Sequence, residues 1–107
     1  MHAYDIDTGI NAAHTDFGGR ASIGYDSVGD GKNGVDCNGH GTHTAGSIGG
    51  SVRGVAKAVQ IVAVRALDCK GSGSSSGIVA AIDWVAAHAI HPAVPHMSLG
   101  SSLATAP

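Results

Sequence analysis

The residues best suited to chemistry lie in the glycine-rich stretch 36–46, which reads DCNGHGTHTAG. His40 has a glycine on each side, so another chain or a substrate can approach its backbone closely. An imidazole in such a setting can act as a general base when a carboxylate fixes its tautomer and stabilises its protonated form. Asp7, at the end of an earlier predicted strand, is the candidate carboxylate. A capping aspartate and a core histidine are the alternative interpretation of the same two residues.

Metal binding is a competing use for these residue types. A zinc site joining Cys37, His40 and Cys69 would match no common zinc spacing. The histidine pairs of zinc-binding helices are four residues apart with a glutamate between them, and this chain has no such glutamate. His88 and His91 fall near the end of a predicted helix, where imidazoles favour the negative end of the dipole. We therefore predict structural roles for those two histidines and no metal site.

The two cysteines each lie in a predicted loop beside a polar turn. A disulfide between Cys37 and Cys69 needs only that the loops meet in space, and it would contribute about 3–4 kcal/mol in the chain-entropy model. Such a bond would imply an oxidising compartment. Two unrelated buried thiols are the alternative.

An acidic loop is the second place where a metal ion is conceivable. Asp26, Asp30 and Asp36 could offer carboxylate oxygens to calcium, although their spacing is not that of an EF-hand. A solvated loop that binds no ion is the alternative. No other cofactor is expected.

Composition narrows the class of protein. The 107 residues are 43% hydrophobic, which suits a single small globular domain. A net charge of −2 provides no basic stripe, so nucleic acid is not an expected partner. No apolar run reaches the ~18 residues needed to span a bilayer, so no membrane partner is expected either. The first residues lack the positive and apolar regions of a signal peptide.

The elements that would position these side chains alternate between strand and helix. Strands are predicted over residues 3–7, 21–25, 59–67 and 93–100, and helices over 40–48 and 78–90. The last strand is expected to be buried. This order predicts an α/β fold with a parallel sheet and flanking helices. Asp7 would then lie at the carboxyl edge of the sheet, where ligands and catalytic groups collect.

Five segments together resemble consecutive parts of one protein family: DIDTGI, HTDFGGRA, CNGHGTHTAGSIGG, the long run from GVAKAVQ to AIDWV, and PAVPHMSLG. They are similar to subtilisin-like serine proteases, most closely to the proteinase K branch and its aqualysin-type secreted bacterial members. In this family the catalytic triad runs Asp, His, Ser along the chain. The resemblance covers nearly the whole chain.

The resemblance implies roles for named residues. Asp7 and His40 would be the triad aspartate and histidine. A peptide or protein substrate would bind as an added strand beside one segment of the chain. A second segment would form the opposite wall, which lines the P1 pocket. The first segment is Gly71, Ser72 and Gly73, and the wall is Ser98, Leu99 and Gly100. Cys37 and Cys69 match a disulfide of aqualysin-type members, which implies an extracellular, secreted protein.

Some positions depart from the family pattern. The family's block around the nucleophilic serine and the segment with the oxyanion-hole asparagine are not found in the 107 residues, which implies a partial domain, an incomplete subtilisin-like fold. Asp5 replaces a small apolar residue, so two carboxylates point to the same side of one strand, at a cost unless one is protonated. Pro95 falls in an expected central strand, and His96 replaces the usual asparagine.

Three functions are compatible with this pattern. The first is a fragment of a secreted endopeptidase that is inactive alone. The second is a small stand-alone esterase or protease with Ser98, in the elbow-like HMSLG, or Ser102, in GSSLATAP, as nucleophile. The third is a folded remnant that binds partners through exposed sheet edges. Open apolar surface on a partial domain also predicts self-association.

Overall fold

A computed structural model of the chain describes residues 1–52 and 54–97. It contains four strands, two helices and one turn of 3-10 helix at Thr15–Phe17. The strands are β1 (His2–Asp7), β2 (Ala21–Asp26), β3 (Gln60–Arg65) and β4 (Ala93–Met97), and the helices are α1 (His40–Gly49) and α2 (Ser75–His88). All strand pairs are parallel, in the order β2-β3-β1-β4. The predicted α/β fold, a parallel sheet with flanking helices, is confirmed.

The sheet has a separate apolar core on each face. Because successive side chains of a strand point to opposite faces, Tyr4 and Ile6 of β1 pack against α2, whereas Ala3 packs with residues of α1. Asp5 and Asp7 follow the alternation of Ala3 and therefore lie on the α1 side. Central strands covered on both faces explain the nearly continuous apolar run of β3.

The helices differ from their predicted bounds in an informative way. Helix α2 begins three residues earlier than predicted, because the Ser74 side chain accepts a hydrogen bond from the backbone N–H of Gly77 and caps the helix. Within α2, Ile78 and Ala81 are buried, whereas Ile82 is 37% exposed. Neither of the two helices, over residues 1–52 and 54–97, combines the length and hydropathy needed to cross a membrane.

The prediction of a buried central strand at residues 93–100 is wrong for the part that the structure describes. β4 pairs with β1 on one side and lies at the edge of the described sheet, where Val94 is 47% exposed and Met97 48% exposed. Pro95 is accordingly in an edge strand, where its missing N–H is tolerated. An apolar composition alone does not distinguish an edge strand from a central one.

Candidate active site

Asp7 and His40 meet at the carboxyl edge of the sheet. Asp7 ends β1 and is completely buried, and His40 is the first residue of α1 with its side chain 50% exposed. The ring Nδ1 of His40 lies 2.8 Å from Asp7 Oδ1 and 2.9 Å from Oδ2. Because a carboxylate only accepts, this contact places the ring proton on Nδ1 and leaves Nε2 free to act as a base.

Asp36 fixes the start of α1 against the end of β1. Its Oδ1 accepts hydrogen bonds from the Thr8 hydroxyl and from the backbone N–H groups of Asn38 and Gly39, each at 2.9 Å. Its Oδ2 accepts from the backbone N–H and the hydroxyl of Thr42, at 3.0 and 2.6 Å. Burial alone would raise the pKa of Asp36, but these hydrogen bonds outweigh it and hold the pKa below its usual value.

The glycine beside His40 is required by close backbone contact. A Cβ atom on Gly41 would collide with the carbonyl oxygen of Gly9 and would lie 2.9 Å from the Thr8 hydroxyl oxygen. The backbone N–H of Gly41 donates to that same hydroxyl at 2.8 Å. The sequence predicted that glycine at this position lets another chain or a substrate approach the backbone closely. In the structure, the turn after β1 of the same chain makes this close approach.

A second carboxyl group lies behind Asp7. Asp5 is fully buried, its Oδ2 and Oδ2 of Asp7 are both 3.2 Å from the hydroxyl oxygen of Thr44, and its Oδ1 has no hydrogen-bond partner. Burial, and next the charge of Asp7, raise the pKa of Asp5 to about 8. The prediction that two carboxyl groups share one side of β1 is confirmed by this geometry, and the raised pKa favours a proton on Asp5.

A disulfide joins Cys37 and Cys69, as the resemblance implied. The interpretations as free thiols or as zinc ligands are therefore wrong, because both sulfurs are in the bond. The Asn38 side chain also donates to the carbonyl oxygen of Cys69 at 2.9 Å. Together these contacts attach the segment before His40 to the loop after β3.

That loop contains the predicted substrate-binding residues. Its turn is closed by Asp68, whose Oδ1 accepts from the backbone N–H of Lys70 at 2.9 Å and of Ser72 at 3.0 Å. Gly71 has a φ of 81°, which favours glycine. The structure therefore brings Gly71, Ser72 and Gly73 to the same end of the sheet as the disulfide, and their contact with a substrate stays a prediction.

The opposite wall of the predicted substrate site is Ser98, Leu99 and Gly100, which lie outside the described residues. Ser102, the other alternative nucleophile, lies outside them as well. The roles assigned to these four residues from the sequence stay predictions.

The acidic loop binds an arginine of the sheet. The guanidinium of Arg65, buried at the end of β3, donates from Nη1 to Asp26 at 3.0 Å and to Asp30 at 2.6 Å, and from Nη2 to Asp30 at 2.9 Å. The hydrogen bonds from Arg65 lower the pKa of Asp30 to about 2, and Asp30 in turn raises the pKa of Arg65. Within residues 1–52 and 54–97, no three acidic, histidine or cysteine side chains converge as metal ligands. Calcium binding by this loop stays a prediction.

His88 has the structural role predicted from its place at a helix end. Its ring stacks on the indole of Trp84 with centroids 4.6 Å apart, and its Nδ1 donates to the Trp84 carbonyl oxygen at 2.9 Å. These contacts close the last turn of α2 and use the ring for packing.

Comparisons with known proteins agree with this geometry. Residues 6–106 match the Subtilase family. Alkaline serine exoprotease A of Vibrio alginolyticus is 59% identical over 104 residues, which are 97% of this chain and 20% of that protein. Extracellular serine proteinase of Thermus sp. (strain Rt41A) is 53% identical over 106 residues, which are 99% of this chain and 26% of that protein.

A solved structure is similar over the same region. The crystal structure of a cold adapted subtilisin-like serine proteinase superposes with a TM-score of 0.87 and 51% identity, over 96% of this chain and 41% of that one. The chain thus spans 20% and 26% of the length of the two relatives above, and less than half of the solved chain.

Proposed function

The chain belongs to the subtilase family and corresponds to part of a subtilisin-like serine protease domain, and on that premise we propose that Asp7 and His40 are the acid and the base of its catalytic triad. The observation that carries the proposal is the contact of His40 Nδ1 with both oxygens of a fully buried Asp7. In this arrangement Asp7 orients the ring and stabilises the imidazolium that forms when Nε2 accepts a proton.

The reaction is the cleavage of peptide bonds by acyl transfer. His40 Nε2 removes the proton of a serine hydroxyl as that oxygen attacks the peptide carbonyl, and then returns the proton to the leaving amine. The half-exposed ring suits this task, because Nε2 must be accessible to both the nucleophile and the substrate.

The substrate is a peptide or protein segment in extended conformation. We propose that it pairs through main-chain hydrogen bonds with the loop of Gly71, Ser72 and Gly73. The opposite wall of this proposal is Ser98, Leu99 and Gly100, which lie outside the described residues. The disulfide supports this assignment, since it attaches the substrate loop to the segment that presents His40. It also supports an extracellular location, in line with the Thermus relative, which is named an extracellular serine proteinase.

Alkylation of the histidine tests the proposal on the 107-residue chain. A peptidyl chloromethyl ketone places an electrophilic carbon beside the base, and Nε2 displaces chloride from it to form an N–C bond. Mass spectrometry of a digest is expected to show His40 labelled well ahead of His43, the exposed histidine on the same helix. Asp7→Asn is expected to slow the labelling of His40. Equal labelling of the two histidines, or labelling insensitive to Asp7, would refute the assignment.

Hydrolysis separates this function from that of a stand-alone hydrolase. We expect the purified 107-residue chain to hydrolyse neither peptides nor short-chain esters above background, because a base without a positioned hydroxyl forms no acyl-enzyme. Activity abolished both by His40→Ala and by Ser98→Ala or Ser102→Ala would establish the alternative instead.

A further inference from the structure

One hydroxyl group lies between three oxygen acceptors beneath the proposed catalytic pair. Thr44 Oγ1 is 3.2 Å from Oδ2 of Asp5, 3.2 Å from Oδ2 of Asp7 and 2.9 Å from the carbonyl oxygen of Gly41. A threonine hydroxyl has one proton to donate. If both aspartates were ionised, two of these three buried acceptors would face the hydroxyl oxygen without a proton between them.

The other contacts show where a second proton must lie. Asp7 accepts from the backbone N–H of Thr8 at 2.7 Å and from His40 Nδ1, so it is the acceptor of the group. Asp5 is fully buried, and its Oδ1 has no donor at all. A proton on Asp5 turns one of the three acceptors into a donor, because Asp5 then donates to Thr44 Oγ1. The Thr44 hydroxyl can then donate to Asp7, and only the carbonyl oxygen of Gly41 competes for that proton.

We propose that Asp5 is a positioning residue of the site: as a neutral acid it donates to Thr44 and so directs the Thr44 hydroxyl to Asp7, which faces His40. The proposal rests on the function proposed above for Asp7 and His40. Ionisation of Asp5 removes the donor and places a second negative charge beside Asp7. At alkaline pH, the ionisation of Asp5 therefore disturbs the contact between Asp7 and His40 through Thr44.

The surroundings of Asp5 favour the neutral form. Burial, the charge of Asp7 and the charge of Asp36 raise its pKa, and the hydrogen bond that Thr44 can donate to the ionised form only partly offsets them. The resulting pKa is about 8. The neighbouring strands contribute Ala63 of β3 and His96 of β4, which are opposite Asp5 in the register. From its own strand and from α1, Asp5 meets Asp7 and Thr44, and Asp36 acts on it through its charge from the loop before α1. His40 contacts Asp7.

Carboxyl and imidazole NMR on the 107-residue chain tests the proposal without any hydrolysis. The Asp5 carboxyl signal, identified by its loss in Asp5→Asn, is expected to titrate near pH 8 instead of near 3.8. The ring signals of His40 are expected to change in the same pH interval. That change should vanish in Asp5→Asn and become smaller in Thr44→Val, where only the charge of Asp5 still reaches Asp7. It should persist in His96→Gln and in Asp83→Asn, an exposed control on α2.

Two substitutions separate positioning from simple packing. Asp5→Asn keeps a donor for Thr44, so its His40 signals at pH 6 should match those of the native chain. Asp5→Val removes the donor while filling the space, and its His40 signals at pH 6 should differ.

An Asp5 carboxyl that titrates near pH 4, or a His40 change near pH 8 that persists in Asp5→Asn, would overturn the proposal. So would native-like His40 signals at pH 6 in Asp5→Val. The alkylation result for His40 stands independently, so failure of the proposed function is distinguishable from failure of this inference.

Discussion

Two pairs of aspartates lie at the same end of the molecule, and the fold treats them in opposite ways. Asp26 and Asp30 share the buried guanidinium of Arg65, and the pKa of Asp30 falls to about 2. Asp5 and Asp7 share a threonine hydroxyl, Asp7 also contacts the half-exposed imidazole of His40, and the pKa of Asp5 rises to about 8. The first pair is neutralised by a fixed cation, whereas in the second pair Asp5 is held neutral beside Asp7. Carboxyl groups with perturbed pKa values of this kind cluster at catalytic sites.

The two pairs are also mechanically connected. Arg65 is opposite Asp7 in the register of β1 and β3, and its Nε donates to the carbonyl oxygen of Thr8 at 3.1 Å. Its Nη2 lies 3.4 Å from the sulfur of Cys37. The cluster of Arg65 with Asp26 and Asp30 therefore supports the loops that position Asp7. The two regions are expected to respond differently to mutation.

Removal of the fixed cation is expected to have the largest effect. Arg65→Met retains most of the side-chain volume but leaves Asp26 and Asp30 without their partner. We expect the free energy of unfolding to fall by about 3–5 kcal/mol, measured by urea denaturation at pH 7. Lys57→Met, at an exposed position, should change it by less than about 0.5 kcal/mol. A loss below about 1 kcal/mol for Arg65→Met would show that the cluster is not structural.

Loss of the disulfide ranks next. The double substitution Cys37→Ser, Cys69→Ser opens a loop with a sequence separation of 32, and we expect it to lower the free energy of unfolding by about 3–4 kcal/mol. Alkylation without reductant, followed by mass spectrometry, should find no modified thiol in the native chain. Two modified cysteines under those conditions would contradict the bond.

Replacement of Asp5 is expected to raise the free energy of unfolding instead of lowering it. The pKa of Asp5 is raised from 3.8 to about 8 by folding, so the folded state keeps a proton that the unfolded state loses. Native stability therefore declines as pH rises from about 4 to about 8, and Asp5→Val escapes this decline. We expect the variant to be more stable than the native chain by about 2–4 kcal/mol at pH 7.

The pH profile of that difference provides the control. Urea denaturation at several pH values should show the advantage of Asp5→Val growing between pH 4 and pH 8 and levelling above it. A difference that is independent of pH would mean that packing, and not ionisation of Asp5, separates the two proteins.

The sequence predicted the parts of the site that lie at the ends of regular elements. Asp7 ends a strand, His40 begins a helix, and both belong to recognisable segments, so their meeting at the sheet edge followed from the parallel topology. The charge repulsion between Asp5 and Asp7 was also predictable, because the alternation of side chains along a strand places both on one face.

The parts that the sequence did not predict depend on how loops fold. The five hydrogen bonds to Asp36 come from a hydroxyl before it in the chain and from groups after it, and no local pattern indicates them. The partner of Asp26 and Asp30 is Arg65, which lay inside the strand predicted over 59–67, and no sequence pattern connects it to the acidic loop. The exposure of β4 was missed because strand order is a tertiary property.

The central claim is that Asp7 fixes the ring of His40 so that Nε2 is the base. The most direct measurement is the nitrogen-15 NMR spectrum of the imidazole, at a pH where the ring is neutral, in the native chain and in Asp7→Asn. The account predicts that the native ring carries its proton on Nδ1 and that Asp7→Asn loses this preference. A native ring with its proton on Nε2 would contradict the account, because that nitrogen could not then accept a proton from a serine.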